Sequence, residues 1–402
     1  MCHFVYIKGG LETMEQLSLF NLPNNEKYKI TKPIRLIELF AGYGSQSLAL
    51  KFLGADFETY KICEFDKYAI QTYNAFHNTN FITSDITQIH SCDLEIVDTA
   101  IYEYIMFYSF PCTDLSIAGK MRGMEKGSNT RSGLLWQVER LLNEMQEKPQ
   151  LLIMENVPTV LKATGWQEWQ ESLKSFGYTN YITVLNAKEF GIPQNRRRCF
   201  MISILNSNSV FNTPKKMQLD IKLKDILEKN IEEKYYMPNE KAATIINQLK
   251  NKDTVLIDMV QAKREGKPRE YIDIAPTLNA RDYKEPRLIQ VGELDIKGHR
   301  IVKAVYDPNG LAPTLTTMQG GQRQPKITDN KRVRKLTPCE CFKLMGVPNS
   351  INKKTTVSNS QQYKQAGNSI VTTVLMAIFG ELLGIDYQTK INELVEELKE
   401  CA

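Results

Sequence analysis

A doubly wound α/β sheet, mostly parallel and joined to a second, smaller irregular domain, is the fold class the sequence predicts. Three observations carry it. Short apolar runs alternate with helical patterns from residue 34 to about residue 204, and a glycine turn follows the first run. Beyond that point the alternation lapses into short apolar pieces between charged and Gly/Pro-rich turns. The length of 402 residues, at roughly 150 per domain, suits two or three domains and a sizeable core.

The elements follow in order. Residues 1–32, with the polar stretch Asn21-Leu-Pro-Asn-Asn-Glu-Lys-Tyr-Lys29, read as a poorly ordered or lightly docked extension. Ile34-Arg-Leu-Ile-Glu-Leu-Phe40 reads as a strand, Ala41-Gly-Tyr-Gly44 as the turn, and Ser47, Leu48, Leu50 and Leu53 as the buried side of a helix stopped by Gly54. Lys61-Ile-Cys-Glu-Phe65 is a second strand, and Asp66 opens the helix after it. Phe81-Ile-Thr-Ser-Asp85 is expected as a short third strand, Tyr104–Phe110 as a fourth and Leu151–Met154 as a fifth. Residues 33–204 thus form one domain and 205–333 a smaller one. Thr337-Pro-Cys-Glu340 is a capping box with Pro at N1, starting a helix that runs to Leu344 and ends near Gly346. A last apolar helix, Val371 to Leu383, is expected to pack back onto the sheet, so 334–402 returns to the first domain.

Composition narrows the function. With 42% hydrophobic and 24% charged residues, the chain is not disordered, collagenous or a coiled coil. No apolar run approaches the ~20 residues of a membrane-spanning helix, and the N-terminus lacks the pattern of a secretory signal. The eight cysteines contain no CxxC pair, and none of the four histidines sits at zinc-ligand spacing with a cysteine pair. Reduced cytoplasmic thiols and no metal are therefore expected. A net charge of +5 does not identify a partner by itself.

Strand, glycine turn and helix together are the shape of a nucleotide cradle. Glu64 lies about 20 residues past the turn, at a strand end, where an acidic side chain can bind both ribose hydroxyls. Phe65 is placed to lie against an adenine, and Asp85 to accept from its amino group. These residues predict an adenosine-containing ligand without choosing among them. A dinucleotide-dependent oxidoreductase fits the opening pattern, but Ser47 stands where the third glycine of its fingerprint belongs. Cys112 follows Pro111 directly after an apolar strand, a position that faces the cleft in such a sheet. A free thiol with pKa ≈ 8.5 needs positive groups to become a nucleophile at neutral pH, and Gln194-Asn-Arg-Arg-Arg198 offers Arg196 and Arg198 on one face of an extended segment. Glu155-Asn156 ends the strand at Met154, placing a carboxyl group where it can donate a proton.

In order, Phe40-Ala-Gly-Tyr-Gly44, Pro111-Cys112, Glu155-Asn-Val157, Gln194-x-Arg196-x-Arg198, Arg334-Lys-Leu-Thr337 with Leu344-Met-Gly-Val-Pro348, and Gly367-Asn-Ser369 resemble the cytosine-5 DNA methyltransferase family. The resemblance covers about residues 34–204 and 334–385. It implies a Rossmann-like methyltransferase domain, with 205–333 as target-recognition domain and S-adenosylmethionine as cofactor. Phe40, Gly42, Gly44, Glu64, Phe65, Asp85, Ile86 and Pro111 match cofactor-contacting positions, and Asn368 and Ser369 complete that pocket. Cys112 matches the nucleophile, Glu155 the acid that engages the base, Arg198 the arginine at the base carbonyl and Arg196 its supporting neighbour. Thr113 departs from the Gln common after Pro-Cys in the family.

Double-stranded DNA is the implied partner, with a restriction endonuclease of the same specificity where the enzyme is paired. No membrane is expected, and a monomer is. Residues 281–335 hold twelve Lys/Arg against six Asp/Glu, more excess positive charge than the whole chain carries, which suits a phosphate-binding face. Ala275-Pro-Thr-Leu278 recurs as Ala312-Pro-Thr-Leu315. Thr314 is the expected phosphate contact, and Gln319, Gln322 and Arg323 are expected to read base edges. An RNA cytosine-5 methyltransferase on the same fold, acting on transfer RNA, is the nearest rival; the long basic insertion argues for DNA.

Overall fold

The computed structural model describes residues 26–115, 123–128, 130–236 and 332–400, with short pieces between 256 and 329. Strands β1 (Ile34–Leu39), β2 (Phe57–Cys63), β3 (Glu103–Tyr108), β4 (Leu151–Asn156), β5 (Tyr178–Asn186) and β6 (Arg197–Leu205) form one sheet in the order β2-β1-β3-β4-β6-β5. The first four pair in parallel, and β6 and β5 close the far edge antiparallel. After β1 the chain moves outward to β2, then returns to the other side of β1 for β3. That reversal opens a crevice at the carboxyl ends of β1 and β3.

Both faces of the sheet are covered. On β3, Ile105 and Phe107 join one core, while Tyr104, Met106 and Tyr108 join the opposite one; Leu151 and Ile153 against Leu152 and Met154 repeat the pattern on β4. Successive side chains of a strand point to opposite faces, so a strand buried on both sides reads as a continuous apolar run. Helix α1 (Ser45–Leu53) packs against the late apolar helix Thr372–Leu383, and both lie on the first face. The late helix Thr372–Leu383 thus shares a core with the first helix of the chain's sheet region.

Several expectations need correction. Residues 81–85 are not a strand. Ser84 N makes one bond to Glu64 O at 2.9 Å, and the Asn74 side chain takes up both N and O of Phe81, so no ladder forms and Ile82 stays exposed. The described part of the extension, residues 26–32, follows the docked one of its two readings: Tyr28 N bonds Val210 O, and Ile30 N bonds Leu382 O at 2.8 Å. Asn359–Leu383 has the length and hydropathy of a membrane span, but 83% of its most apolar window is buried inside the protein. It is also broken at residues 369–371 into two helices. A helix at Tyr387–Lys399, capped by the Asp386 carboxylate, follows the one expected to be last. The capping box at Thr337 and Glu340 forms as read, and Glu340 also holds Arg334 in a fully buried double hydrogen bond.

Of the smaller region, strands β9 (Gln290–Glu293), β10 (Ala304–Tyr306), β11 (Lys326–Asp329) and β12 (Arg332–Lys335) form a sheet, and β7 (Leu256–Asp258) pairs with β8 (Arg269–Tyr271).

Candidate functional site

The glycine turn is built by left-handed backbone. Phe40, Gly42 and Gly44 have φ of +58°, +58° and +79°. At Gly44 a Cβ would lie 2.4 Å from His77 Nε2 and 2.5 Å from the Tyr73 ring, so only glycine fits. At Gly42 a Cβ would meet nothing, and the backbone faces open space. Gly42 N donates to Glu64 Oε2 and Asp66 N to Glu64 Oε1, each at 2.8 Å. The carboxylate is thereby fixed at the end of β2, and burial raises its pKa above the ordinary value. Phe65 beside it is 78% exposed, an uncovered ring at the crevice mouth. Ser47, at the missing third glycine, is buried and donates to Glu38 Oε2 at 2.8 Å, so the position holds a satisfied polar side chain.

The other cofactor candidates divide. Asp85 Oδ1 accepts from Thr87 N and Thr87 Oγ1, bracing the loop that follows. Ile86 is a core side chain. Ser369 is buried, and its Oγ lies 2.6 Å from Tyr43 Oη; Asn368 next to it is exposed. Sequence reasoning passed over Tyr43, whose phenol joins the turn after β1 to a segment more than three hundred residues away.

Cys112, Glu155, Arg196 and Arg198 come together where β3 and β4 end and antiparallel β6 begins. Glu155 Oε1 pairs with Arg198 Nε at 3.1 Å, and its Oε2 accepts from Ser109 Oγ at 2.5 Å. Asn156 Nδ2 donates to Phe110 O at 3.0 Å, tying β4 to the segment that leads into Cys112. Arg196 is buried and donates to three carbonyls: Leu315 O at 2.9 Å, Gly367 O at 3.0 Å and Ser369 O at 2.7 Å. Burial, with Arg198 beside it, lowers its pKa to about 9, which still leaves it protonated at neutral pH. Ser109 stands two residues before Pro111 in the sequence, but nothing along the chain marks a polar residue at a strand end as a partner of Glu155.

The two arginines act to lower the Cys112 thiol, as expected, but the net shift of its pKa is upward. Burial raises it, Glu155 raises it further, and Arg198 and Arg196 oppose them without prevailing.

The second Ala-Pro-Thr-Leu copy is knitted to the arginine segment. Ala312 N donates to Pro193 O, Asn195 N to Ala312 O and Leu315 N to Gln194 Oε1. Thr314 Oγ1 donates to Asn195 O, so the hydroxyl expected at a phosphate spends its one proton within the protein. Gln319, Gln322 and Arg323 lie outside the described residues.

A model of the C-5 cytosine-specific DNA methylase family matches residues 34–384. The type II methyltransferase M2.ScrFI of Lactococcus lactis subsp. cremoris is 31% identical, over 87% of this chain and 99% of the relative. The orphan methyltransferase M.SPBetaI of Bacillus phage SPbeta is 28% identical, over 87% and 97%. Among solved structures, the methyltransferase EhMeth of Entamoeba histolytica superposes with a TM-score of 0.64 at 15% identity, covering 88% of this chain and 99% of that one. That likeness supports the Rossmann-like methyltransferase fold.

Proposed function

Because the chain belongs to the C-5 cytosine-specific DNA methylase family, we propose that it methylates C5 of a cytosine extruded from duplex DNA, at a short specific sequence, through a covalent bond between Cys112 Sγ and C6 of the base. The observation that carries the reading is the convergence of Cys112, Glu155 and the two arginines beside the crevice that Gly42, Glu64 and Phe65 frame.

The crevice suits S-adenosylmethionine. Gly42 presents open space, the Glu64 carboxylate is held ready for two hydroxyls, and the bare Phe65 ring offers a face for a purine. Gln46 Oε1, at the start of α1, is buried without a hydrogen-bond partner. When bound, this cofactor supplies an electrophilic methyl group on a sulfonium.

The chain's own residues do the rest. The target base leaves the helix at a cost of about a few kcal/mol. Arg198, held by Glu155, sits to steady the base carbonyl. Glu155 engages N3 and the exocyclic amine, so that charge developing on the ring is stabilised. The Cys112 thiolate gives its electron pair to a new bond at C6, the C5=C6 π bond breaks, and that π pair moves toward C5, which becomes nucleophilic. After C5 has accepted the methyl group, its proton leaves and the C6–S bond breaks by β-elimination, restoring the thiolate. The basic insertion, residues 281–335, is the proposed DNA face, with Gln319, Gln322 and Arg323 as its candidate contacts; the Thr314 hydroxyl, spent on Asn195 O, is not among them.

The test uses duplex DNA synthesised with 5-fluorocytosine throughout, so that every sequence is represented. With fluorine at C5 there is no proton to lose, and the enzyme becomes attached through Cys112 in a cofactor-dependent, denaturant-stable complex. Attachment to transfer RNA carrying the same base, with none to DNA, overturns the reading.

A second expectation concerns the pocket. Tyr43→Phe keeps a ring that stands edge-on to Phe76 and Phe342, with centroids at 5.5 and 5.4 Å, and removes the hydroxyl at Ser369. A buried hydrogen bond is worth about 1 kcal/mol, so the Kd for S-adenosylmethionine should rise about fivefold. Calorimetric titration without DNA measures it; an unchanged Kd removes Tyr43 from the pocket's architecture.

A further inference from the structure

We propose that Ser132 is the positioning residue for the Cys112 nucleophile, holding the turn around the thiol from both sides. The inference rests on the reading of Cys112 as nucleophile.

Pro111 and Cys112 lie in neither helix nor strand, and residues 113–115 form a turn. Such a segment needs outside support, because misplacing a reacting atom by ~1 Å costs about 10²-fold in rate. Ser132 supplies it. The residue is fully buried, its Oγ donates to Pro111 O at 2.7 Å, and the same oxygen accepts from Asp114 N at 3.3 Å. One hydroxyl therefore bridges the residue before the thiol and the second residue after it. Pro111 has no N–H, so its carbonyl is the only backbone polar group it can offer.

The contact is returned. Asp114 Oδ2 accepts from Arg131 N at 3.0 Å and from Ser132 N at 3.4 Å, so the two segments are stitched in both directions. Beyond the turn, Thr159 Oγ1 donates to Leu115 O at 2.6 Å and anchors it to the segment that follows β4, the strand bearing Glu155. The partners of the Ser132 hydroxyl are backbone groups on either side of Cys112, which makes its role one of placement.

Ser132→Ala removes both bonds with little change in volume. Single-turnover methyl transfer to unmethylated duplex DNA should slow by about 10- to 100-fold, and attachment to 5-fluorocytosine DNA should slow equally. The Kd for S-adenosylmethionine, measured without DNA, should rise by far less than the rate falls, because Pro111 is the one cofactor-contacting candidate that the hydroxyl holds. Asp114→Ala should slow the same step, whereas Asp114→Asn should restore most of the rate, since a single oxygen accepts both backbone N–H groups. A wild-type transfer rate in Ser132→Ala overturns the inference. So does a fall in cofactor affinity that matches the fall in rate, or an Asp114→Asn rate no better than that of Asp114→Ala. If the wild-type protein itself fails to attach to 5-fluorocytosine DNA, the nucleophile reading falls instead.

Discussion

Cys112→Ala lowers methyl transfer by at least about four orders of magnitude while leaving S-adenosylmethionine affinity unchanged. Cytosine C5 is a poor nucleophile until a bond at C6 pushes electron density toward it, and alanine has no electron pair to offer. The cofactor crevice does not depend on the thiol. The carboxylate proposed to hold the cofactor is fixed by Gly42 N and Asp66 N, and the late wall proposed for it by the Tyr43–Ser369 bond, all on other segments. Transfer of tritiated methyl groups to DNA, beside calorimetric titration of the cofactor, separates the two effects. Transfer by the alanine variant at close to the wild-type rate removes the covalent mechanism.

Glu155→Gln should produce two effects of opposite sign. The rate of transfer falls by about 10²- to 10³-fold, the usual loss when a group that stabilises developing charge is removed. Alkylation of Cys112 in the free enzyme, by contrast, becomes faster at a fixed pH near 8. Burial is the first cause of the raised thiol, and the Glu155 carboxylate is the second. Glutamine removes the second cause and leaves Arg198 and Arg196 opposed by burial alone, so the pKa falls and the thiolate fraction grows. In the wild-type enzyme the alkylation rate climbs with pH, with a midpoint above that of an ordinary thiol; in the variant the midpoint moves down. Iodoacetamide labelling followed by peptide mass measurement reads Cys112 apart from the other cysteines. Slower labelling together with slower transfer would mean that the variant has lost its local structure rather than a charge.

What could be read in one dimension was local. The run from Ile34 to Leu39, the turn at Gly42 and Gly44 and the stop at Gly54 follow from neighbouring residues, because strand periodicity and left-handed backbone are short-range properties. The Thr337–Glu340 capping box lies within one helical turn and formed as read. Pro111-Cys112, Glu155-Asn156 and the arginine pair were visible as motifs, and their order carried the family resemblance. The stretch from Phe81 to Asp85 failed as a strand because its backbone was claimed by Asn74 and Glu64, not by a neighbouring strand.

Other features were decided by the folded chain alone. Arg196 finds its carbonyl partners at residues 315, 367 and 369, Tyr43 meets Ser369, and Ser132 reaches back to Pro111. The pKa of the Cys112 thiol is raised overall, despite the two arginines, for the same reason. Proximity to two arginines could be guessed from motif order, but the cost of burying a charge depends on how much protein surrounds it. Desolvation and distant hydrogen bonds belong to the packed volume, and no pattern along the chain encodes them separately from the fold.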